Sequence, residues 1–184
     1  MKKILFVLVV AVFTLNAQLI LKAGINSAQP SVSVGTIPNL EGAGSFMFGA
    51  GTELDLVLIS IDLEANYVPS TITNLTSEQK NTELQIPATI EIGLPIPVVN
   101  PYIRAGVMYS LVLSAESNGV DNKDNFNNYF GLVIGVGVEL DLPALPGIII
   151  DGRYIIPTGD SLDDAVSANN FKSNQIQATV GIKL

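Results

Sequence analysis

The sequence predicts an all-β protein, an eight-stranded antiparallel up-and-down transmembrane β-barrel that follows a cleaved N-terminal signal peptide. Three observations support this fold class. Segments with a two-residue alternation of apolar residues against polar residues and glycines recur along residues 18–184. Four long polar loops alternate with three short turns. The mean hydropathy is positive, yet the apolar residues after residue 17 are spread through the alternating segments, as in a β-barrel whose outer face meets lipid.

Residues 1–17 have the form of a secretory signal peptide. Lys2 and Lys3 precede an apolar run, and Ala17 supplies a small residue for cleavage. The run is shorter than the roughly 20 residues that a membrane-spanning helix needs. We therefore expect export and a single mature domain, residues 18–184.

Composition narrows the possible functions. Loss of Lys2 and Lys3 takes the formal net charge from −8 to −10, so we expect no nucleic-acid partner. The chain has no Cys and no His, and it therefore lacks a thiol nucleophile, the usual general base and the commonest metal ligand. We expect a protein that is not an enzyme, with no cofactor and no metal.

The first three strands are predicted at residues 18–26, 45–56 and 59–67, because apolar residues occupy every second position in each. Residues 27–43 are predicted to be a long loop, part of which extends the neighbouring strands. A tight connection joins strands two and three near Val57. The polar residues 69–82 are predicted to be a second long loop.

Strands four and five are predicted at residues 83–94 and 102–113, joined by a proline-rich turn. Pro87 lies inside strand four, where a proline removes a ladder hydrogen bond, so a bulge or a position near the membrane edge is expected. Residues 114–127 form the third predicted loop.

A hairpin and a final strand complete the predicted barrel. The hairpin uses residues 130–142 and 148–154, separated by the Pro-Ala-Leu-Pro-Gly break. Residues 157–173 form a fourth polar loop, and residues 174–184 form strand eight. Asp160, Asp163 and Asp164 in that loop lack the pattern of a Ca²⁺-binding loop, so a solvated acidic loop is expected.

Alternation alone does not say which face points inward, since a soluble lipocalin-like barrel would keep its apolar face inside around a ligand. Aromatic residues favour the membrane arrangement, because outward aromatics are predicted to gather at the loop end and form an interfacial girdle. The predicted girdle consists of Phe46, Phe48, Tyr67, Tyr109, Phe130 and Tyr154.

Charged residues are predicted to line the interior. An eight-stranded barrel is just wide enough for side chains to fill, so enclosed charges must pair. Arg104 and Arg153 are the predicted hubs, with Glu64, Glu91 and Glu139 as partners. The predicted interior charge network is Arg104, Arg153, Glu53, Glu64, Glu91, Glu139 and Asp151. The surplus acids beside the short turns, Asp55, Asp62 and Asp141, are expected near water or protonated. A catalytic interpretation of the paired carboxylates is the less favoured alternative.

With its signal peptide, glycine-rich inward faces, Tyr-Ile-Arg-Ala-Gly segment at residues 102–106 and loop pattern, the chain resembles small outer-membrane barrels of the OmpA/OmpX type. The terminal strand departs from that family in closing on Leu184, where Phe is usual. The resemblance implies location in the outer membrane of a Gram-negative cell envelope, contact with its lipid, and assembly machinery that reads the C-terminal strand.

Several functions stay open at this point. The favoured one is a structural or interaction barrel whose four loops meet an unknown extracellular partner in adhesion, surface recognition or envelope integrity. The second is a porin-like narrow pore or small-ligand conduit, favoured by the inward glycines that leave space. A secreted lipocalin-like ligand-binding barrel and an enzyme without His or Cys are the remaining alternatives.

Overall fold

The structure, a computed structural model, describes residues 18–32, 41–56, 58–73, 78–94, 96–158 and 171–184. The predicted signal peptide and the loop with Asp160, Asp163 and Asp164 lie outside the described residues. Within the described ranges there are eight long strands and one short strand: β1 (Gln18–Val32), β2 (Glu41–Leu56), β3 (Ile59–Thr73), β4 (Glu78–Gly93), β5 (Val99–Ser117), β6 (Val120–Asp121), β7 (Tyr129–Leu140), β8 (Gly147–Pro157) and β9 (Phe171–Lys183).

The eight long strands form one closed antiparallel barrel. Hydrogen-bonded neighbours follow the order β4-β3-β2-β1-β9-β8-β7-β5, and pairing of β4 with β5 completes the ring. The first and last strands pair from Ile20 opposite Lys183 to Val32 opposite Phe171. The two-residue β6 pairs with the end of β5. The predicted fold class is therefore confirmed, and no described helix is long and apolar enough to cross a membrane.

The apolar faces of the strands point outward and the charged faces point inward. Ile90 is 53% exposed and Val136 is 63% exposed on the outside. Arg104 and Glu91 are 3% and 5% exposed in the interior. The predicted sidedness is confirmed, and it is opposite to that of a lipocalin-like barrel, whose interior is apolar.

Several strands are longer at the loop end than the sequence predicts. Residues 69–82 were predicted to be a loop, but β3 and β4 remain paired from Pro69 opposite Thr82 to Thr73 opposite Glu78. β5 likewise continues to Ser117 and is followed by β6. The reason is that the outward side chains beyond the lipid are mostly polar, so the alternation of apolar and polar residues disappears while the backbone ladder continues.

Pro87 lies in the middle of β4 with no bulge beside it, so the expected bulge or edge position is wrong. It stays in register with Met108 of β5. Pairing with β3 is instead interrupted at this point, from Leu63 opposite Ala88 to Asn66 opposite Gln85. The missing N–H of Pro87 therefore interrupts the hydrogen-bond ladder with β3 and leaves the ladder with β5 intact.

Candidate functional site

Seven charged side chains meet in the middle of the barrel interior and form the central ion network. Each is at most 6% exposed. The network comprises Lys22, Asp62, Glu64, Glu91, Arg104, Asp151 and Arg153. They come from β1, β3, β4, β5 and β8, so the network connects strands that are not neighbours in the sheet.

Arg153 is held on two sides by carboxylates. Its Nη1 and Nη2 donate to Glu64 Oε2 at 2.6 Å and to Glu64 Oε1 at 2.7 Å, a bidentate pair. Its Nε donates to Asp151 Oδ1 at 2.9 Å, and Nη2 also reaches Asp151 Oδ2 at 3.1 Å. Such paired N–H···O bonds are among the strongest in proteins and fix the plane of the guanidinium.

Arg104 is the second hub. Its Nη1 donates to Asp62 Oδ2 at 3.1 Å and to Glu64 Oε1 at 3.2 Å. Its Nη2 forms an ion pair with Glu91, which lies directly opposite on β4. Nη2 also donates to the Tyr102 hydroxyl at 3.1 Å. The two arginines therefore share Glu64, as the predicted hubs require.

Lys22 supplies the third positive charge. Its Nζ pairs with Glu64, lies 3.2 Å from Asp151 Oδ2 and lies 3.8 Å from Asp62 Oδ2. The network thus holds three cations and four carboxylates, almost balanced in charge. Because an isolated buried charge is costly, this near balance is what allows the polar interior to exist inside a lipid-embedded barrel.

A second set of charges lies at the turn end and forms the turn-end ion group. Lys183 Nζ lies 2.9 Å from Glu139, 3.3 Å from Glu53 and 3.5 Å from Asp55. These side chains line an open cavity of about 310 Å³. Glu53 and Glu139 therefore belong to this group, and the expectation that Glu139 partners the arginines is wrong.

Among the surplus acids, Asp55 and Asp141 are exposed at the turn end, where they were expected. Asp62 is not near water, since it is 1% exposed within the central ion network. Lys22 and Asp62 both occupy inward positions of their strands, and this phase is the signal that could have placed them among the network residues. Which oppositely charged side chains Lys22 and Asp62 meet depends on packing across the barrel.

A polar layer that the sequence analysis did not identify fills the interior on the loop side. Gln85 Nε2 donates to Gln175 Oε1 at 2.8 Å, and Gln177 Nε2 donates to Gln85 Oε1 at 2.9 Å. Above them the Tyr129 hydroxyl donates to Glu83 Oε2 at 2.8 Å. A buried apolar cluster lies against this layer: Met108, Tyr129, Val133 and Ile155. Side chains thus fill the described interior from the central ion network toward the loops.

The inward glycines do not leave open space, contrary to the expectation. A Cβ at Gly49 would lie 1.9 Å from Asn66 Oδ1, and one at Gly51 would lie 2.7 Å from Glu64 Cγ. At Gly137 the occupant is the Tyr102 ring, with Cζ at 2.3 Å. The glycines let side chains of the neighbouring strand lie against the backbone, so they help to fill the barrel.

This packing predicts a difference between two glycines of the same hairpin. Gly137→Ala is expected to lower the free energy of unfolding by about 1–3 kcal/mol, because the new methyl group overlaps the Tyr102 ring. Gly152→Ala is the matched control, since its Cβ would meet nothing closer than 4.0 Å. Denaturant titration of the two variants in lipid vesicles measures both values. Equal stability of the two variants would contradict the packing described here.

The predicted aromatic girdle residues all point outward or lie half-buried among outward neighbours. Phe46, Phe48, Tyr67 and Phe130 are 37–82% exposed. Phe48 stacks on Tyr67, with ring centroids 5.0 Å apart, and Tyr109 packs on Phe130 at 4.8 Å. Both are cross-strand register pairs. Tyr154 instead lies opposite Ile134 and Ile176, level with the middle of the outward band, so it does not join the other predicted girdle residues at the loop end.

Comparison with known proteins adds to this geometry. A family model described as "Outer membrane protein beta-barrel domain" matches residues 4–183. No curated protein matches the chain significantly in sequence.

Solved structures show the same fold. The crystal structure of Neisserial surface protein A (NspA) is 18% identical with a TM-score of 0.59, covering 92% of this chain and 99% of that chain. The outer membrane protein AlkL, solved in lipid bilayers, is 12% identical with a TM-score of 0.54, covering 92% and 90%. The outer membrane enzyme PagL is 9% identical with a TM-score of 0.53, covering 88% and 98%. At these identities the likeness shows the fold alone.

Proposed function

The chain belongs to the outer membrane protein β-barrel domain family, and from this premise we propose that it is a non-catalytic barrel that displays a recognition surface outside the cell. The protein is a small barrel of the bacterial outer membrane. The proposal concerns what it does there. Adhesion and surface recognition are the roles that the loop-end geometry favours.

The observation that carries the proposal is a projecting sheet beyond the aromatic girdle. We define it as residues 69–73 of β3, 78–82 of β4, 114–117 of β5, and β6. From Tyr67 to Thr73, β3 extends by about 20 Å at ~3.3 Å per residue. Lipid does not reach this height, so the sheet stands in water on the side of the long loops.

Hydrogen bonds between separate strands hold the projecting sheet in place. Asn118 N donates to the Glu78 carbonyl at 2.9 Å, and Glu78 N donates to Asn118 Oδ1 at 2.9 Å. Asn122 N donates to the Ala115 carbonyl, also at 2.9 Å. A surface that is ordered before binding loses less entropy when a partner binds, which favours recognition.

The charge on this part of the molecule indicates the kind of partner. Glu78 and Lys80 form an exposed pair at 3.1 Å. Glu116 of β5 lies opposite Asp121 of β6 on one side and opposite Lys80 of β4 on the other, so the projecting sheet carries three acidic side chains against one lysine. The net acidic surface favours a partner with a basic face, because complementary charge accelerates and orients association.

A labelling experiment tests the direction of display. The chain has no Cys, so Glu116→Cys and Asp141→Cys each introduce a single thiol at opposite ends of the barrel. In intact cells a maleimide that does not cross the outer membrane is expected to label Glu116→Cys fully. Asp141→Cys is expected to react only after the membrane is permeabilised. Labelling of Asp141→Cys in intact cells would invert the orientation and overturn the proposal.

A binding experiment tests recognition itself. Charge reversal at Glu116 and Asp121 is expected to reduce adherence of expressing cells to immobilised basic proteins by about tenfold, or ~1.4 kcal/mol. Asp141→Lys is the matched control, since it reverses an exposed acid at the other end. Unchanged adherence of the Glu116/Asp121 variant would count against recognition by the projecting sheet.

The alternative function, a narrow pore, predicts a different result. The filled interior supports a barrel without a continuous water path, since the central ion network and the glutamines occupy the bore. In planar bilayers the purified protein is expected to give no steady open current. A reproducible conductance that Gly137→Ala changes would favour the pore.

A further inference from the structure

The three short turns carry exposed apolar side chains and no polar ones. Residues 56–59, 94–99 and 142–147 contain no charged or hydrogen-bonding side chain. Leu58 is 55% exposed, and Leu94 and Leu145 are each 62% exposed. Turns in water are usually built from Gly, Asn, Asp and Ser, so this composition indicates that the three turns do not lie in water.

The apolar turns are continuous with the lipid-facing surface and surround the barrel. The exposed apolar surface continues from the edges of the turns, at Leu56, Ile59 and Val99, onto the adjoining strands, at Ile92 and Ile150. On the fourth side of the ring, Leu19 of β1 is 49% exposed and the C-terminal residue Leu184 is 57% exposed. A protein partner would cover one side, whereas lipid covers every side equally.

The charged side chains at the turn end point into the barrel, away from the lipid-facing surface. Glu53, Glu139 and Lys183 face the bore and line the 310 Å³ cavity there. The turn end is therefore apolar around its rim and polar in its centre. This is the same arrangement as in the membrane-spanning part, continued to the tips of the turns.

Distances along the strands agree with this arrangement. Phe46 of the girdle and Leu56 at the end of β2 are ten residues apart, which gives about 33 Å of strand at ~3.3 Å per residue. A tilt of ~40° reduces this to about 25 Å along the barrel axis, the height of the apolar band of outer-membrane barrels. With the girdle at the outer interface, the inner edge of the hydrocarbon therefore falls at the turns.

The backbone of the turn at residues 94–99 is consistent with a lipid environment. Val98 has φ 75°, in the left-handed region, which glycine adopts freely and a residue with a Cβ adopts at a cost. Its side chain is 46% exposed. An apolar side chain is thus kept outward at a position where the backbone alone favours glycine.

We propose that the three turns lie within the inner leaflet, in contact with phospholipid at the boundary between acyl chains and headgroups, and do not stand free in the periplasm. The occupant of this surface is lipid. The turn-end cavity then opens into the headgroup layer, while the projecting sheet and the paired ends of β1 and β9 extend beyond the membrane at the other end.

The absence of tryptophan from the chain permits a direct test. Leu58→Trp, Leu94→Trp and Leu145→Trp each place a sole tryptophan at one turn. Ile134→Trp marks the middle of the outward band, and Val120→Trp marks a position in water at the loop end. Each protein is folded into phosphatidylcholine vesicles that carry bromine at a shallow or a deep acyl carbon, with folding checked by heat-modifiable migration on a gel.

All three turn tryptophans are expected to emit at shorter wavelength than Val120→Trp and to be quenched several-fold more strongly by the shallow bromine. Ile134→Trp is expected to prefer the deep bromine, which verifies insertion independently of the turns. The proposal is overturned if the turn tryptophans respond to aqueous acrylamide as Val120→Trp does. It is also overturned if shielding is confined to one turn or rises with protein concentration, because contact between copies then covers the surface.

Discussion

Glu64→Gln is expected to lower the free energy of unfolding by about 3–5 kcal/mol, the usual cost of removing one partner from a buried ion network. Glu64 accepts hydrogen bonds from both Nη atoms of Arg153 and also contacts Arg104 and Lys22. A glutamine keeps the shape but turns an amide N–H toward these donors. The value is measured by urea titration of the protein refolded in lipid vesicles.

Asp62→Asn is the matched control, because it removes the same formal charge from the same strand. Asp62 Oδ1 has no hydrogen-bond partner, and Asp62 Oδ2 accepts from Arg104 Nη1 at 3.1 Å, whereas both oxygens of Glu64 accept from Arg153. We expect a change of at most about 1 kcal/mol, the scale of a single net hydrogen bond. A larger loss for Asp62→Asn than for Glu64→Gln would show that Glu64 is not the centre of the network.

Ile134→Arg is expected to destabilise the barrel by about 2–4 kcal/mol, as arginine does near the midplane on the lipid-facing side of a β-barrel. Ile134 is 50% exposed on the outward face of β7. Val120→Arg provides the comparison, since Val120 is 68% exposed at the loop end and its substitution should change stability by no more than about 0.5 kcal/mol.

The same vesicle unfolding assay measures both arginine variants. If Ile134→Arg were as stable as Val120→Arg, the face that carries Ile134 would be in water and the lipid-facing assignment would fail. A variant that folds in detergent but not in vesicles would support the assignment, because only the bilayer imposes the cost of burying the guanidinium.

The barrel body was predictable because lipid imposes a strict rule on every strand. Along β7 the residues from Phe130 to Leu140 must be apolar at every second position, and this gave the strand and its facing directly. Beyond the lipid the rule no longer applies. Residues 69–73 and 78–82 pair fully although most of their side chains are polar, so sequence reasoning assigned them to a loop.

The interior was predictable in composition but only partly in its contacts. Arg104 and Glu91 are direct register partners in one hairpin, so their pairing follows from local geometry. Contacts of Lys22 with Glu64 and of Arg153 with Glu64 cross between β1, β3 and β8. These depend on the stagger with which the ring closes, which the alternation of a single strand does not contain. The same limit explains why Glu139 was assigned to the wrong cations.

The pairing of β1 with β9 has a consequence for how the chain folds. β1 is synthesised first and pairs with β9, which is synthesised last. One edge of β1 therefore stays unpaired until β9 is available. Contacts between such distant segments form slowly, and an unpaired edge invites association with other chains. Lys22 on β1 and Arg153 on β8 gain their shared carboxylate, Glu64, only when the strands curl into a cylinder. We therefore expect the Arg153–Glu64 pair and the β1–β9 ladder to form together, late in folding, when the ring closes.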